Sequence, residues 1–309
     1  MSDLALAESI LRTACGDRVR TSFSMAPITS FRIGGPAAIY LEPESESDLA
    51  AAADALAAAE LPYVVIGKGS NVLVSDRGFP GLVMQLGRGY RWAARDGDRL
   101  DAGGAMPLPA FAGVALRHDL AGLAFGVAIP ATVGGAVKMN AGAHGAEMAD
   151  IVVDVEVFRL GQSRTERIPA AEAGFSYRRS SLPSDSIVTG VTVSLRPGDP
   201  AVIRAEMDEA RSWRRRTQPL AEPNCGSVFK NPPGSHAARL IDEAGLKGTR
   251  VGGAQVSPKH ANFIVAPPGA LAADVWELVQ LVAREVEART GIVLEPEVQL
   301  IGEFDHAAR

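Results

Sequence analysis

Cysteine is scarce in this chain, and net positive charge and long apolar runs are absent; each of these features argues against a class of protein. Only two cysteines occur among 309 residues, Cys15 and Cys225, so neither a disulfide framework nor a metal site is expected. The formal net charge of −5 leaves no basic footprint for nucleic acid. No apolar run reaches the roughly 18 residues of a membrane-spanning helix, so no membrane partner is expected.

The start of the chain, Met1-Ser2-Asp3-Leu4, has neither the basic segment nor the apolar stretch of a secretory signal. The scarcity of cysteine favours a reducing compartment, and we therefore predict a cytoplasmic protein. The composition is that of a globular protein, with 47% hydrophobic and 22% charged residues. The length suits about two domains.

Hydrophobic periodicity divides the chain into three stretches. The first is predicted to contain helices over 2–14 and from a cap at Ser47-Asp48 to Ala59, and strands over 38–43, 63–66 and 72–74. The second contains strands over 82–86, 100–102, 151–160 and 187–195 and a helix over 107–118, with a glycine-rich segment of little periodicity at 122–145. The third follows the turn-rich segment 196–200 and contains helices over 201–216, 236–244 and 270–290 and strands over 260–266 and 297–301.

A glycine turn, Gly67-Lys68-Gly69-Ser70-Asn71, follows the strand over 63–66. It begins like a dinucleotide fingerprint, but Val72 replaces the third glycine and a strand follows where that fingerprint needs a helix. A Rossmann site is therefore rejected. Two interpretations stay open: a plain tight turn, or a loop whose backbone N–H groups face phosphate oxygens.

Two further loops lie in the glycine-rich segment. In 129–136, Pro130 stiffens the chain and Gly134-Gly135 allow a flat ligand or a phosphate to approach the backbone closely. In 139–145, Asn140 can serve a ligand as donor and acceptor together. His144 is either a base or a structural loop residue.

The segment Asn224–Pro232 reads NCGSVFKNP, a mixture that no plain core strand requires. We interpret it as a turn that points Ser227 into a site, with Lys230 and Asn231 placed for anionic or polar ligand groups. Cys225 is interpreted as a buried packing residue.

Two other segments carry charge. Tyr177-Arg178 places an aromatic ring beside a cation, which fits either a carboxylate site or a surface arginine pair. Glu295 and Glu297 would share one face of a strand, unless they are only charges at a strand edge.

Four segments in this order resemble the UDP-N-acetylenolpyruvoylglucosamine reductase family: 29–37 (TSFRIGGPA), 65–76 (VIGKGSNVLVSD), 123–145 (LAFGVAIPATVGGAVKMNAGAHG) and 224–232 (NCGSVFKNP). Segments 260–265 and 295–302 extend the resemblance, which covers nearly the whole chain from about residue 20. The chain resembles the shorter type of the family, because no long insertion separates Arg178 from the strand over 187–195.

The resemblance implies an α+β fold. It implies a two-lobed FAD-binding domain of the vanillyl-alcohol-oxidase type over 1–199, with lobes 1–80 and 81–199, and a C-terminal α+β substrate-binding domain over 200–309. It further implies a monomer that uses NADPH and FAD to reduce UDP-N-acetylglucosamine enolpyruvate to UDP-N-acetylmuramate in peptidoglycan precursor synthesis.

The resemblance also implies roles for individual residues. Ser227 would donate a proton to the carbanion, and Arg178 would stabilise the charge that develops beside the substrate carboxylate. Glu297 would assist only if it is protonated or donates through water, so a raised pKa is expected for its carboxyl group. FAD would contact Gly67, Lys68, Gly69, Ser70, Asn71, Ile129, Pro130, Thr132, Gly134, Gly135, Asn140 and Gly142. Substrate would contact Tyr177, Lys230, Asn231 and Arg216, with Lys247 and the cluster 214–216 as secondary candidates.

Some positions depart from the family pattern. Ala128 and Ala131 stand where glycine is common, which is tolerable if their φ angles are negative. Thr217 stands where many members have lysine, and His144 replaces a frequent tyrosine.

Two alternatives remain. The first is an FAD-dependent oxidase or dehydrogenase of the same flavin fold acting on another substrate, with flavin tethered through a residue such as His144. The second is a nucleotide-sugar or FAD-binding sensor without catalysis, in which Ser227 would have no task.

Overall fold

The computed structural model describes residues 3–304. These residues contain seven helices: α1 (Asp3–Cys15), α2 (Glu46–Ala59), α3 (Leu108–Arg117), α4 (Val133–Lys138), α5 (Pro200–Thr217), α6 (Ala237–Glu243) and α7 (Ala272–Thr290). The strands of the first half are β1 (Val19–Ser24), β2 (Pro36–Leu41), β3 (Tyr63–Val65), β4 (Val72–Val74), β5 (Phe79–Met84), β6 (Ala93–Asp96), β7 (Arg99–Gly103), β8 (Leu120–Ala121), β9 (Gly142–Ala143) and β10 (Ala146–Glu147). The strands of the second half are β11 (Val152–Arg159), β12 (Arg164–Pro169), β13 (Ser186–Ser194), β14 (Arg196–Pro197), β15 (Arg250–Val251), β16 (Ala254–Val256), β17 (Ile264–Val265) and β18 (Gln299–Ile301).

The described chain forms two compact units, and each is assembled from segments that are distant in sequence. Unit 1 contains residues 3–21, 38–68 and 81–213, and unit 2 contains residues 22–37, 69–80 and 214–304. This division differs from the linear boundary near residue 200, which stays a prediction. Within residues 3–304, no helix combines the length and the apolar character needed to cross a bilayer.

One core of unit 1 surrounds α1 and α2. Helix α2 begins with a capping box, in which Ser45 Oγ accepts from the Asp48 N–H and the Asp48 carboxylate accepts from the Ser45 N–H. The predicted cap at Ser47-Asp48 was therefore wrong by two residues, because Asp48 is the N3 partner of the box. Leu11, Leu49 and the alanine face of α2 are buried.

The second core of unit 1 lies on a five-stranded antiparallel sheet with the order β12-β11-β13-β7-β6. Strand β13 is buried at every position except its last, so its sequence is a continuous run of small and apolar residues instead of an alternating one. Helices α3 and α4 contribute buried side chains such as Phe111 and Val137 to this core. Gly134 of helix α4 packs against Val188 of the middle strand, β13.

Unit 2 has a core of its own. Strands β4 and β18 pair in parallel, so that Leu73 lies opposite Leu300, and β15, β16 and β17 form a small antiparallel sheet. The apolar faces of α6 and α7 close this core with residues such as Ile241 and Leu278.

The long helices and the main strands are confirmed near their predicted bounds, because their periodicity extends over several turns or over long runs. Helix α4 and nine strands of the described chain were missed: β1, β6, β8, β9, β10, β12, β14, β15 and β16. Each is short, and α4 contains two glycines that weaken a helical pattern. The predicted strand over 260–266 was wrong in its first half, since only Ile264–Val265 is paired as a strand and residues before it form a turn.

The Asp76 carboxylate holds the start of α7 from a distant part of the sequence. Its Oδ1 accepts from the Ala272 N–H at 2.8 Å and its Oδ2 from the Ala273 N–H at 3.0 Å. Two of the N–H groups that a helix leaves without partners are thereby satisfied, and the negative charge lies where the helix dipole favours it.

We predict that Asp76→Ala lowers the free energy of unfolding by about 1 kcal/mol, the usual cost of a lost cap. Urea unfolding followed by circular dichroism measures the change. Asp76→Asn is the matched control, because it keeps one acceptor oxygen and should lose less. An alanine variant as stable as the parent would show that the two contacts contribute nothing.

Candidate active site

The predicted flavin loops of unit 1 meet at Gly67 and Thr132. A Cβ added at Gly67 would lie 2.4 Å from Thr132 Oγ1, so only glycine allows this approach. Thr132 is the N-cap of α4, and its Oγ1 accepts from the Gly135 N–H at 3.2 Å. The Gly67 carbonyl accepts from Gln85 Nε2. The structure therefore brings the 67–68 end of the glycine turn and the 129–135 loop together.

The same turn has the donors that a pyrophosphate requires. Among residues 3–304, no acceptor takes a hydrogen bond from the backbone N–H groups of residues 67–71. Lys68 is exposed beside them, and Gly69 has a φ angle of 65°. Successive N–H groups in such a turn form a concave site for an anion, and this donor set fits the diphosphate of FAD.

The positions that depart from the family pattern are accommodated locally. Neither Ala128 nor Ala131 has a positive φ angle, so their methyl groups introduce no backbone strain. The 129–135 loop is closed by hydrogen bonds from the Ala131 N–H to the Ile129 carbonyl and from the Leu108 N–H to the Ala131 carbonyl. Gly134 is needed for packing, because an added Cβ would lie 3.1 Å from the carbonyl oxygens of Gly104 and Val188.

Asn140 is completely buried and has a positive φ angle of 42°. Its Nδ2 donates to the Ser176 carbonyl at 3.0 Å, and its Oδ1 accepts from the Ala149 N–H at 2.9 Å. Both ends of this amide are therefore engaged within the protein.

Tyr177 and Arg178 occupy the two central positions of a tight turn. The Ser176 and Arg179 backbones exchange hydrogen bonds of 2.9 and 3.0 Å across it. Arg178 has a φ of 57°, and its guanidinium lies 4.9 Å from the centre of the Tyr177 ring. Its Nη2 donates to the Gly142 carbonyl at 3.1 Å, so the third predicted loop directly contacts the arginine.

His144 and Gly145 form the turn of the β9–β10 hairpin, both with positive φ angles. The exposed His144 ring makes an edge-to-face contact with Trp213, with centroids 5.2 Å apart. The ring is therefore held by an aromatic neighbour in unit 1.

In unit 2, the Ser227 turn is shaped by Asn224 and Gly226. Asn224 Oδ1 accepts from the Gly226 N–H at 2.9 Å, and Gly226 has a φ of 82° with open space where a Cβ would be. Cys225 is buried, as predicted. Burial, together with the negative charge of Glu297, raises the pKa of the Cys225 thiol, so this cysteine is not a nucleophile.

Asn262 holds the segment after Ser227, and the sequence reasoning missed it. Its Oδ1 accepts from the Phe229 N–H at 2.9 Å and its Nδ2 donates to the Phe229 carbonyl at 2.8 Å. Its own carbonyl accepts from the Val228 N–H at 2.9 Å. In the sequence, Asn262 is a polar residue inside the predicted strand over 260–266, a position that does not by itself indicate a structural role.

The other side of the same segment carries Glu297. The Glu297 N–H donates to the Val228 carbonyl at 2.7 Å, and Asn71 Nδ2 donates to the Glu297 carbonyl at 3.1 Å. Phe229 and Pro296 form an isolated antiparallel bridge. Unit 2 therefore brings together three segments that the sequence singled out, those of Asn71, Ser227 and Glu297.

Three of the predicted substrate residues, Lys230, Asn231 and Arg216, lie in unit 2. Lys230 pairs with the exposed Glu295 carboxylate, and Asn231 Oδ1 accepts from the Ala237 N–H at the start of α6. Arg216 is exposed in the last turn of α5.

An open depression of about 520 Å³ lies beside α6, and its lining is rich in cations. Its charged and polar residues are Arg239, Asp242, Glu243, Lys247, Lys259 and His260. Lys247 Nζ lies 2.6 Å from Asp242 Oδ2, and Lys259 Nζ donates to the Arg215 carbonyl at 2.6 Å. Such a surface suits a phosphorylated ligand.

His260 is neutral in this setting. Burial, with the positive charge of Lys247 adding to it, lowers the pKa of His260. Its Nδ1 accepts from the Asn262 N–H at 3.3 Å, and its ring packs edge-to-face on Phe263. His260 thus joins the cationic depression to the residue that holds the Ser227 segment.

We predict that His260 makes unfolding pH-dependent. Because its pKa in the folded protein lies below the ordinary value of 6.5, the unfolded chain binds this proton more readily, and the free energy of unfolding falls as the pH drops below that value. His260→Gln removes the titration, so it should lose less stability than the parent between about pH 7.5 and about pH 5.5.

Urea unfolding at the two pH values measures this difference. His236→Gln is the control, since His236 is exposed and its side chain makes no cap contact. Equal pH slopes for the parent and His260→Gln would contradict the prediction.

The class of protein is defined by the cofactor domain that this chain shares with known proteins. Residues 37–167 match the family described as FAD binding domain, so the chain has the nucleotide domain of a flavoprotein. The fold also resembles a berberine bridge enzyme variant, a reticuline dehydrogenase, with a TM-score of 0.50, 14% identity, and coverage of 63% of this chain and 44% of that chain. The predicted α+β fold with an FAD-binding domain is confirmed.

The particular family follows from closer relatives. Residues 218–301 match the C-terminal domain of UDP-N-acetylenolpyruvoylglucosamine reductase. The reductase 2 of Symbiobacterium thermophilum is 46% identical over 92% of both chains, and the reductase of Heliobacterium modesticaldum is 46% identical over 90% of this chain and 89% of its own. The crystal structure of the Thermus caldophilus reductase has a TM-score of 0.79 at 39% identity, and covers 92% of this chain and 98% of that one. The chain belongs to the UDP-N-acetylenolpyruvoylglucosamine reductase family.

Proposed function

We propose that this chain uses NADPH and FAD to reduce UDP-N-acetylglucosamine enolpyruvate to UDP-N-acetylmuramate, a step of peptidoglycan precursor synthesis. One observation carries the proposal most directly: the segments of Ser227 and Glu297 are joined by a backbone hydrogen bond of 2.7 Å between the Glu297 N–H and the Val228 carbonyl. A binding protein has no need for a proton donor, whereas reduction of an alkene requires a proton as well as a hydride, and these two segments carry the candidate donor Ser227 and the carboxyl group of Glu297.

Bound FAD would supply the redox chemistry that carries a hydride from NADPH to the enolpyruvyl double bond. The donors of residues 67–71 would hold its diphosphate, and Gly67 and Thr132 would bring the two loops into contact around it. Arg178 would lie beside the substrate carboxylate, where its cation stabilises the charge that builds up next to the double bond. Its side chain is already oriented by Gly142 and Tyr177.

Ser227 would then deliver the proton that completes the addition. Among residues 3–304, no partner takes a hydrogen bond from its hydroxyl or gives one to it, and Gly226 leaves open space beside it. A serine hydroxyl is a weak acid, but a carbanion is a strong base, so the transfer is feasible where water is excluded. Glu297 would assist in its protonated form or through water.

The nucleotide part of the substrate would bind along the cationic surface of unit 2. Arg239, Lys247, Lys259 and His260 line the depression beside α6. Lys230 and Asn231 are the proposed diphosphate or sugar contacts, and Arg216 and Tyr177 are further proposed substrate contacts. Cations that are partly paired with carboxylates can exchange those partners for phosphate oxygens. The two free cysteines are buried, which supports a reduced, cytoplasmic protein, and we propose that it acts as a monomer.

Anaerobic flavin absorbance tests the proposal. The purified protein is reduced with one equivalent of NADPH, and UDP-N-acetylglucosamine enolpyruvate is then added. Rapid return of the oxidised spectrum supports the function. Reduction without reoxidation by this substrate contradicts it and leaves a flavoenzyme with a different acceptor. Denaturation shows whether the flavin is released, as expected for a non-covalent cofactor.

We predict that Ser227→Ala binds FAD and is reduced by NADPH at the parent rate, but that reoxidation by the enolpyruvyl substrate slows by about 10²–10⁴-fold, the usual contribution of a positioned acid. Stopped-flow absorbance separates the two half-reactions. Ser184→Ala is the control, because Ser184 is an exposed serine of unit 1. A Ser227→Ala variant that turned over like the parent would exclude Ser227 as the proton donor.

A further inference from the structure

Asn140 belongs to the loop that sequence reasoning assigned to the flavin, but its surroundings indicate another role. The side chain is completely buried, and its amide has a protein partner at each end. A buried amide loses free energy if either end lacks a partner, so a site that satisfies both ends defines the orientation of the side chain. The amide therefore cannot rotate towards a ligand without breaking a contact.

The hydrogen bond from Asn140 Nδ2 links this side chain to the turn that carries Arg178. Nδ2 donates to the carbonyl of Ser176, which is the first residue of the tight turn that carries Tyr177 and Arg178. Arg178 has a φ of 57°, in a region that a residue with a side chain rarely adopts unless the surrounding structure holds it there. The turn thus needs an external support at the position where Asn140 supplies one.

The last residue of α4, Lys138, also holds the loop that carries Arg178. Lys138 Nζ donates to the carbonyls of Leu182 and Pro183 at 3.1 and 3.2 Å, and Ser180 Oγ donates to the Lys138 carbonyl at 2.8 Å. These bonds hold the loop on the C-terminal side of Arg178. Asn140 holds the N-terminal side.

We propose that Asn140 is a positioning residue for Arg178 and not a ligand of FAD. Through Ser176 it orients the turn so that the guanidinium reaches the enolpyruvyl carboxylate during reduction of the double bond. This inference rests on the proposed function, because it assigns Asn140 to the half-reaction in which Arg178 acts.

The test uses Asn140→Asp in the flavin-bound enzyme. Aspartate has nearly the same shape and keeps the oxygen that accepts from Ala149, but its carboxylate cannot donate to the Ser176 carbonyl. Flavin content and the rate of reduction by NADPH should equal those of the parent. Reoxidation by UDP-N-acetylglucosamine enolpyruvate should slow by roughly 10²-fold, as expected when a catalytic group is misplaced by about 1 Å.

A double-mutant cycle with Arg178→Ala shows whether Asn140 acts through the arginine. In the Arg178→Ala background, Asn140→Asp should change the reoxidation rate by less than about twofold, because the group that it positions is absent. Additive losses would overturn the inference, and so would loss of flavin or slow reduction by NADPH in Asn140→Asp alone. If Arg178→Ala reoxidises at the parent rate, the proposed role of Arg178 fails first and the inference falls with it.

Two further variants distinguish a specific effect on Arg178 from a general loss of stability. Thr192→Val removes a different buried hydrogen bond of unit 1, that from Thr192 Oγ1 to Asp101 Oδ1 at 2.6 Å, and should leave both half-reactions unchanged. If Asn140→Asp does not fold, Asn140→Ser serves instead, because it removes the reach to Ser176 without adding a charge. A reoxidation rate in Asn140→Ser equal to that of the parent would overturn the inference.

Discussion

The requirement that buried polar groups be hydrogen-bonded organises the functional segments of this protein. Asn140 in unit 1 and Asn262 in unit 2 are both buried side-chain amides, and each binds the backbone of a loop that carries a candidate catalytic residue. An unmade bond at such a site costs about 1–3 kcal/mol, so these loops have few alternative conformations. Loops held in this way can present a reactive side chain precisely without belonging to a regular sheet.

Close approaches between backbone segments also restrict which residues can occupy the functional loops. Gly67 lies against Thr132, and Gly134 lies against the carbonyl groups of Gly104 and of Val188 in β13, so the flavin loops are closely packed before any ligand is considered. In contrast, Gly226 has open space around its α-carbon and is required for its positive φ angle. Glycine therefore has two different tasks in this chain, close packing in the flavin loops and backbone conformation at the Ser227 turn.

The electrostatic properties of the site follow from burial as much as from formal charge. The Cys225 thiol beside the Ser227 turn is kept protonated, and His260 is kept neutral, so neither competes with the proposed proton donor. Three cations, Arg239, Lys247 and Lys259, line the depression beside α6, and Arg178 supplies a fourth in unit 1. A protein of net charge −5 can thus bind a phosphorylated substrate, because local and not overall charge decides recognition.

Much of the fold was predictable. Long periodic segments such as α5 and α7 were found within a residue or two of their bounds, and the strand after the glycine turn was correctly distinguished from a Rossmann helix. Short elements were missed: α4 has only six residues, two of them glycine, and its place against the central strand is a consequence of packing. Asn262 was overlooked because nothing in the sequence of one chain distinguishes a clamp from an interruption in a strand.

By itself, the sequence determined the family, the glycine turns, the reactive residue types and the order of the elements, because these depend on local chemistry and on patterns of neighbouring residues. Only the tertiary structure decided that residues 22–37 and 69–80 belong with the C-terminal segment, that the Glu297 N–H donates to the segment after Ser227, and that the Asn140 side chain donates to the backbone of the arginine turn. These contacts join residues that are far apart in the chain. Which of these long-range contacts form depends on which buried groups become hydrogen-bonded in the folded protein. Local sequence patterns do not contain that information.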